Sequence, residues 1–441
     1  MRLLLIIMIT SFIPNISKGE ESKVLQDSLS SCINKKEWFE LRKLMDKIDK
    51  KDIATSMWEL ATFLVKNNFN KIEEANLGAK QLLEKSIRDS NSIGTPYTWT
   101  MFLQNNALYM QDSHTYKWAC EELLKLSDIS DEFYKEQESS RKIAQNMCKH
   151  PSLRVKQVNC DTTFNYSYIP NTHLTVIPIK LNGIEITSWL DTGAGMPIMY
   201  EEAAKRLGVK RIIGDTLLVN GIKTSRAIVD SVQIGNYYFY NLQVALFPQT
   251  RKLPQMIPDS IKYKLNRADS ILKSQDLIWG MPCLRFMNEI EFNTKKMTVS
   301  FRNKDSYTSD KYSKRIPMGI FDNVPHIKIN INNKDAILVL DTGMEGDINI
   351  NHTFYEKNKE NFIIRKDSTI NYLGANIFEY KIPIFIPNDI IMSNKVWPAN
   401  NTHIYPKEHS VFNYDGMLGN SIFNNYEKII LNFRDMHIIL K

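Results

Sequence analysis

The strongest constraint on the fold is an internal repeat centred on the tripeptide Asp-Thr-Gly. The two copies are Leu190-Asp191-Thr192-Gly193 and Leu340-Asp341-Thr342-Gly343. Each copy follows an apolar, strand-like run, and a shift of 150 positions aligns the two surroundings without a gap. The apolar positions that coincide include Ile177 with Ile327, Ile179 with Ile329 and Ile198 with Ile348. Two copies of so long a segment indicate that one structural unit is used twice, each offering one carboxylate.

A second pair of matching segments follows, one after each copy, at a shift of 139 positions. The triplet Ile278-Trp279-Gly280 coincides with Met417-Leu418-Gly419. The apolar runs that come next, Ile290 to Phe301 and Ile429 to Leu440, predict a hairpin after each triplet. Before the first Asp-Thr-Gly, Asn182-Gly183 stands between two apolar runs and is a strong signal for a two-residue hairpin turn.

This order of elements, present twice, resembles the retropepsin-like and pepsin-like aspartic proteases, and among them an exported, single-chain bacterial form. The resemblance extends from about Tyr168 to Lys441. It implies an all-β, bilobal pair of aspartic-protease-like barrels, with the first retropepsin-like lobe at residues 168–302 and the second at 315–441. The polar stretch 303–314 has little apolar content and is the predicted linker between the lobes.

The resemblance implies that Asp191 and Asp341 form a catalytic dyad. Two carboxylates a few ångströms apart cannot both ionise at low cost, so they share one proton. The ionised carboxylate would act as general base on a water molecule, while the protonated one would donate toward the peptide carbonyl oxygen. This reaction requires no metal, no cofactor and no covalent intermediate.

The remaining residues of the two tripeptides are expected to support the active-site loops. They are Thr192, Gly193, Thr342 and Gly343. In the family that the chain resembles, the threonines hydrogen-bond to the opposite loop and hold the two loops in register. Gly193 can take backbone angles that other residues resist, and it is expected to let the loops approach closely.

The residues that follow the tripeptides depart from the pepsin-like pattern. Pepsin-like enzymes often carry a hydroxyl there that hydrogen-bonds to a catalytic carboxylate, whereas this chain has Ala194 and Met344. Loss of donors to the charged form raises the pKa of a carboxyl group. The expected activity therefore lies at mildly acidic to near-neutral pH.

The substrate is expected to lie extended and to pair its backbone with a hairpin flap. The candidate flap tips are Asn220-Gly221 in the first lobe and Gly374 in the second. A plain surface hairpin is the alternative interpretation at both places.

The first 150 residues have a different character. Met1-Arg2 and the short apolar run that ends at Ile13 predict a secretory signal peptide over residues 1–19. The chain is then expected in the periplasm or outside the cell, without stable membrane insertion. Residues 20–150 carry apolar side chains at three- and four-residue steps, which predict an all-α domain of antiparallel helix pairs. These helices could form a tetratricopeptide-like stack that binds another protein, or a prosegment that masks the cleft.

Charge and composition argue against several other functions. The net charge of +7 is spread over 441 residues without a dense basic block, so no nucleic-acid partner is expected. The eight histidines and five cysteines show no metal-ligand spacing, and no metal site is predicted. A disulfide between Cys148 and Cys160 is permitted after export, and buried free thiols are the alternative.

The predicted function is an exported aspartic endopeptidase whose partner is a peptide or protein substrate. A catalytically silent peptide-binding or scaffold protein with the same fold is the alternative. Intact Asp191 and Asp341 favour the enzyme, because a silent protein is free to lose either carboxylate.

Overall fold

The chain forms two compact units in the computed structural model, Met1–Ser152 and Leu153–Lys441. The residues that the structure describes are 20–89, 92–126, 130–170, 172–219, 222–248, 274–303, 315–373, 379–387, 390–392, 395–397, 402–405, 407 and 414–441. The predicted signal peptide at 1–19 and all but the first residue of the predicted linker at 303–314 therefore lie outside the described residues.

The first unit consists of helices that pack against their neighbours along the chain. They are α1 (Glu20–Lys35), α2 (Trp38–Met45), α3 (Thr55–Asn68), α4 (Ile72–Arg88), α5 (Pro96–Tyr109), α6 (Ser113–Leu123) and α7 (Asp131–Met147), with a 3-10 turn at Lys50–Asp52. This part of the fold prediction, an N-terminal helical region, is confirmed. No helix among the described residues combines the length and the apolar character needed to cross a bilayer.

Several helix starts follow from capping chemistry. The hydroxyl of Thr95 accepts the backbone N–H of Thr98, and Pro96 occupies the first position of α5, where its missing N–H leaves nothing unpaired. Asp112 and Ser130 cap α6 and α7 in the same way. Such a cap stabilises a helix by about 1 kcal/mol.

Trp99 lies in the core of the helical unit. Its side chain is fully buried, and the ring of Phe63 meets it edge-on with centroids 5.3 Å apart. The indole N–H donates to the carbonyl of Ile93 at 3.0 Å, which satisfies the one polar group that burial would otherwise leave unpaired.

The second unit is mainly β-structure. Its strands in the first repeat are β1 (Arg154–Gln157), β2 (Thr162–Asn165), β3 (Ser167–Tyr168), β4 (Thr175–Leu181), β5 (Ile184–Leu190), β6 (Ile198–Tyr200), β7 (Lys210–Val219), β8 (Ile222–Ile234), β9 (Tyr237–Phe247), β10 (Leu277–Trp279), β11 (Glu289–Asn293) and β12 (Thr298–Arg302). Those of the second repeat are β13 (Arg315–Phe321), β14 (Val324–Ile331), β15 (Lys334–Leu340), β16 (Ile348–Ile350), β17 (Ile364–Leu373), β18 (Glu379–Pro387), β19 (Ile390–Met392), β20 (Lys395–Trp397), β21 (His403–Ile404), β22 (Gly416–Leu418), β23 (Lys428–Asn432) and β24 (His437–Leu440).

Short helices interrupt the strands of this unit. They are α8 (Glu201–Arg206), α9 (Met281–Leu284), α10 (His352–Lys357) and α11 (Ile422–Asn425), with a 3-10 turn at Lys359–Asn361. The predicted aspartic-protease-like fold is supported, but the second unit is not all-β, since short helices lie between its strands.

The strands of the first repeat close into a six-stranded barrel. The hydrogen-bonded order β9-β6-β10-β5-β4-β8 is completed by direct pairing of β8 with β9. In the second repeat, β14, β15, β22, β16, β21 and β18 follow one another in the corresponding order, and β19 pairs with β14. The alignment drawn from the sequence thus places equivalent residues on equivalent strands.

One antiparallel sheet joins the two repeats. Its order is β2-β12-β11-β23-β24-β13, and the central pair is β11 from the first repeat with β23 from the second. Ile290 faces Leu431 in this pair, and both side chains are buried. The two C-terminal hairpins predicted from the sequence are confirmed, but their pairing with each other was not predicted.

The strand that leads to each Asp-Thr-Gly belongs to a tight hairpin. Asn182 and Gly183 both have positive φ, 49° and 82°, and they connect β4 to β5 as predicted. Asn332 and Asn333, with φ of 47° and 65°, connect β14 to β15. Two successive left-handed residues match the twist of the flanking strands, which fixes the register that carries Leu190 and Leu340 into the core.

Candidate active site

Each candidate aspartate begins directly where a buried strand ends. Asp191 follows β5, and its backbone N–H donates to the carbonyl of Trp279 on the parallel strand β10 at 3.0 Å. Asp341 follows β15, and its N–H donates to the carbonyl of Leu418 on β22 at 2.9 Å. The repeated apolar-apolar-Gly triplets thus lie behind the two loops, as the resemblance implied.

The two threonines join the loops to each other. Thr192 Oγ1 donates to the carbonyl of Leu340 at 2.6 Å and accepts the N–H of Thr342 at 2.9 Å. Thr342 Oγ1 donates to the carbonyl of Leu190 at 2.8 Å and accepts the N–H of Thr192 at 3.0 Å. Both side chains are fully buried, so these four bonds replace water around every polar atom involved.

The two glycines lie against the opposite carboxyl groups. A Cβ atom on Gly193 would lie 2.5 Å from Asp341 Oδ1, and one on Gly343 would lie 2.6 Å from Asp191 Oδ2. Real Cβ contacts are longer than this, so a larger residue at either position would displace a carboxyl group. The reason for glycine is therefore the close approach of the loops; neither residue has a positive φ.

The carboxyl groups of Asp191 and Asp341 lie close enough for each to affect the ionisation of the other. Burial raises the pKa of Asp191 well above its ordinary value, and the neighbouring charge of Asp341 raises it further. Burial also raises the pKa of Asp341, although backbone N–H groups, including that of Gly343, oppose the rise. A proton shared between the two carboxyl groups is the consequence.

Backbone donors hold one oxygen of each carboxylate. Asp191 Oδ1 accepts the N–H groups of Gly193 at 2.8 Å and Ala194 at 3.0 Å. Asp341 Oδ1 accepts the N–H of Gly343 at 2.8 Å. These donors keep one oxygen of each carboxyl group fixed. A pair of fixed carboxyl groups that shares one proton can accept a proton from water and donate another to a carbonyl oxygen.

The two residues after the tripeptides supply no hydroxyl. Ala194 is buried. The Sδ atom of Met344 accepts a hydrogen bond from Asn349 Nδ2 at 2.9 Å, and its terminal methyl group lies against Gly419. Met344 is therefore turned toward the segment behind its own loop.

The candidate flap residues Asn220, Gly221 and Gly374 lie outside the described residues. Within the described part of the chain, no group of three or more His, Cys, Asp or Glu side chains is arranged to hold a metal ion. The five cysteines are all free, so Cys148 and Cys160 do not form the disulfide that the sequence permitted.

A pair of carboxyl groups at the ends of two equivalent strands, with their loops bonded to each other, defines the class of site found in an aspartic-protease-like fold. Residues 177–261 match the family model described as aspartyl protease. This match confirms the resemblance to retropepsin-like aspartic proteases that the sequence indicated.

Three solved structures illustrate the similarity. A retropepsin-like aspartic protease from Rickettsia conorii is 17% identical, with 34% of this chain and 92% of that chain covered and a TM-score of 0.21. An aspartic proteinase from Irpex lacteus is 10% identical, with coverage of 64% and 97% and a TM-score of 0.37. Conglutin gamma, a basic 7S globulin from lupine seeds, is 9% identical, with coverage of 64% and 95% and a TM-score of 0.35. No curated protein matches the chain.

Proposed function

We propose that this protein is an aspartic endopeptidase that hydrolyses peptide bonds with a water molecule activated by Asp191 and Asp341. The observation that supports the proposal best is the contact of each aspartate with the glycine of the other loop, which leaves the two carboxyl groups facing each other. The raised pKa values of both aspartates favour a singly protonated pair, the form that such a reaction uses.

In the proposed reaction the ionised carboxylate removes a proton from water, and the water oxygen attacks the peptide carbonyl carbon. The protonated carboxyl group donates its proton to the carbonyl oxygen, which gives a gem-diol. The carboxyl group that took the proton from water then donates it to the peptide nitrogen, while the other carboxylate takes a proton from a gem-diol hydroxyl. The carbon–nitrogen bond breaks to give a carboxylic acid and an amine, and the pair is again singly protonated. The substrate is bound extended beneath a hairpin flap, for which Asn220, Gly221 and Gly374 remain the candidates.

The proposal is tested by cleavage of casein between pH 3 and pH 8, with and without pepstatin. Asp191→Asn and Asp341→Asn are each expected to lower the rate by on the order of 10³-fold. The double variant should be no slower than either single variant, because the two carboxyl groups act as one unit. Asp335→Asn is the matched control, since this exposed carboxylate pairs only with Lys328 among the ion pairs of the described residues.

Two outcomes would contradict the proposal. Undiminished cleavage by either active-site variant would mean that the two aspartates do not share one site. A wild-type chain that binds peptides but cleaves none at any pH would support the catalytically silent peptide-binding protein.

We also propose that the chain is exported, which the sequence of residues 1–19 supports. Expression with the complete N-terminus in a bacterium should yield a periplasmic or secreted form that lacks this segment. The mass of the mature protein measures the cleavage position. An intact chain retained in the cytoplasm would contradict export.

The role of helices α1 to α7 can be tested with the same mature protein. If they mask the cleft, limited proteolysis between residues 148 and 154 should raise the cleavage rate of wild type. If they bind another protein, the cut should leave that rate unchanged.

A further inference from the structure

Asn323 belongs to the second repeat but contacts the active-site loop of the first. Its Nδ2 donates to the carbonyl of Gly195 at 3.0 Å. Gly195 lies four residues after Asp191, on the same loop. Asn323 is 6% exposed, whereas Gly195 is exposed, so the bond is partly buried at the edge of the first loop.

The turn that carries Asn323 is held in a defined conformation. Asp322 and Asn323 both have positive φ, 49° and 67°, and connect β13 to β14 as a two-residue hairpin turn. Asn and Asp tolerate this left-handed conformation better than other residues with a side chain. Tyr414 Oη donates to Asp322 Oδ2 at 3.0 Å, and the Tyr414 ring lies 3.9 Å from that of the buried His326. The turn therefore holds the backbone of Asn323 in a fixed position.

The two active-site loops differ in how their backbone carbonyls are held, because the first repeat has Pro282. In the second repeat, the backbone N–H of Ser421 donates to the carbonyl of Gly346 in the active-site loop at 3.2 Å. The shift of 139 positions that relates the two triplets places Pro282 at the position of Ser421. Proline has no N–H, so the first repeat cannot form the equivalent bond.

Asn323 supplies a donor at the neighbouring position of that loop. The carbonyl of Ala194 accepts the N–H of Met281 at 2.9 Å, and the carbonyl of Gly195 accepts Asn323 Nδ2. With both carbonyls held, the N–H of Ala194 stays directed at Asp191 Oδ1. The 150-position shift places His173 where the second repeat has Asn323. Among the described residues, His173 has a ring contact with Tyr168 and no hydrogen bond to the second active-site loop.

We propose that Asn323 is a positioning residue for Asp191, acting across the two repeats through the carbonyl of Gly195. Only the predicted effect on kcat rests on the proposed function. Without the Asn323 side chain, the first loop should be free to move. The hydrogen bonds from its N–H groups to Asp191 should then weaken, which raises the pKa of the carboxyl pair.

The test compares Asn323→Gly with Asn333→Gly in the full-length chain. Glycine keeps the left-handed backbone in both turns, and Asn333 occupies the same turn position in the β14–β15 hairpin without contacting an active-site loop in any bond of the described residues. A third variant, Asn323→Asp, keeps the shape of the side chain and removes the Nδ2 donor. It covers the case in which the glycine variant does not fold.

Two readouts are used. With a peptide substrate, Asn323→Gly and Asn323→Asp should lower kcat by about tenfold or more, with KM within about twofold of wild type, because misplacement of a reacting group affects the chemical step. By ¹³C NMR titration of the aspartate carboxyl carbons, without substrate, the pKa of Asp191 should rise in Asn323→Gly and remain at the wild-type value in Asn333→Gly.

These readouts separate the inference from the proposed function. A wild-type chain without peptidase activity, whose Asp191 titration nevertheless shifts in Asn323→Gly, would overturn the function and support the positioning role. Identical kcat and identical titration in Asn323→Gly and Asn333→Gly would overturn the positioning role, whatever the wild-type activity.

Discussion

Gly193 and Asp341 are 148 positions apart in the chain, yet no side chain fits between them. A Cβ atom on Gly193 would lie 2.5 Å from Asp341 Oδ1, and the equivalent relation holds between Gly343 and Asp191. Each glycine therefore lies directly against the carboxyl group of the other loop. This reciprocal contact is the geometric basis for expecting one site formed by both repeats.

Gly193→Ala should lower kcat by about 10²-fold or more, because the added methyl group must displace the carboxyl group of Asp341. Steady-state kinetics with a peptide substrate measure the effect. Gly78→Ala is the control: apart from its chain neighbours and the nearby backbone of its own helix, no atom lies within 4 Å of the added Cβ, and Gly78 is in the interior of α4. The control should stabilise the helical unit by about 0.5–1 kcal/mol and leave kcat unchanged. Wild-type activity in Gly193→Ala would show that the two loops are not in contact.

Thr192→Val should destabilise the second unit by about 3 kcal/mol, because it leaves the N–H of Thr342 and the carbonyl of Leu340 buried without a partner. Thr192→Ser retains the hydroxyl and should lose less than half as much. Urea denaturation followed by tryptophan fluorescence measures both. Equal losses in the two variants would indicate that the methyl group of Thr192, and not its hydrogen bonds, is responsible.

The pH optimum of peptide cleavage should lie above that of a strongly acid protease. Burial raises the pKa of both Asp191 and Asp341, so the singly protonated pair persists to higher pH than two ordinary aspartates would allow. Cleavage should fall at low pH, when both carboxyl groups carry protons, and at high pH, when neither does. A pH–rate profile measures both limbs, and a maximum below about pH 3 would contradict the expectation.

His326 should make the second unit less stable as the pH falls. Burial lowers the pKa of this fully buried imidazole to about 3, whereas an unfolded histidine takes up a proton near pH 6.5. Between these values the unfolded chain binds more protons than the folded chain, so the free energy of unfolding decreases on acidification. His326→Phe keeps an aromatic ring between Phe321 and Tyr414 and removes the titration. Its melting temperature should fall less than that of wild type between pH 6.5 and pH 4; parallel curves would refute the assignment.

Local patterns in the sequence were sufficient to predict the hairpins and the ends of the strands. Asn182-Gly183 predicts a two-residue hairpin turn, because both residues tolerate the left-handed conformation that such a turn requires. The structure contains this hairpin between β4 and β5. The positions of Asp191 and Asp341 at strand ends follow from the apolar runs before them. The helices of the first unit follow from apolar spacing in the same way.

Contacts between the two repeats were not predictable in this manner. The pairing of β11 with β23 and the bond from Asn323 to Gly195 each join residues more than 120 positions apart. The proline at position 282, where the second repeat has Ser421, does not by itself indicate the bond, because the carbonyl equivalent to that of Gly346 belongs to Met196 and Asn323 bonds to Gly195.

Hydrophobic periodicity and turn chemistry act over a few residues, so the amino-acid sequence was enough to show that one strand–turn–strand unit occurs twice and that each copy ends in a carboxylate. The folded structure was needed to show that Thr192 bonds to Thr342, that Gly193 meets Asp341 and that Asn323 bonds to the first loop. These relations arise from how two buried surfaces fit together, and that fit depends on distances across the core that no local pattern encodes.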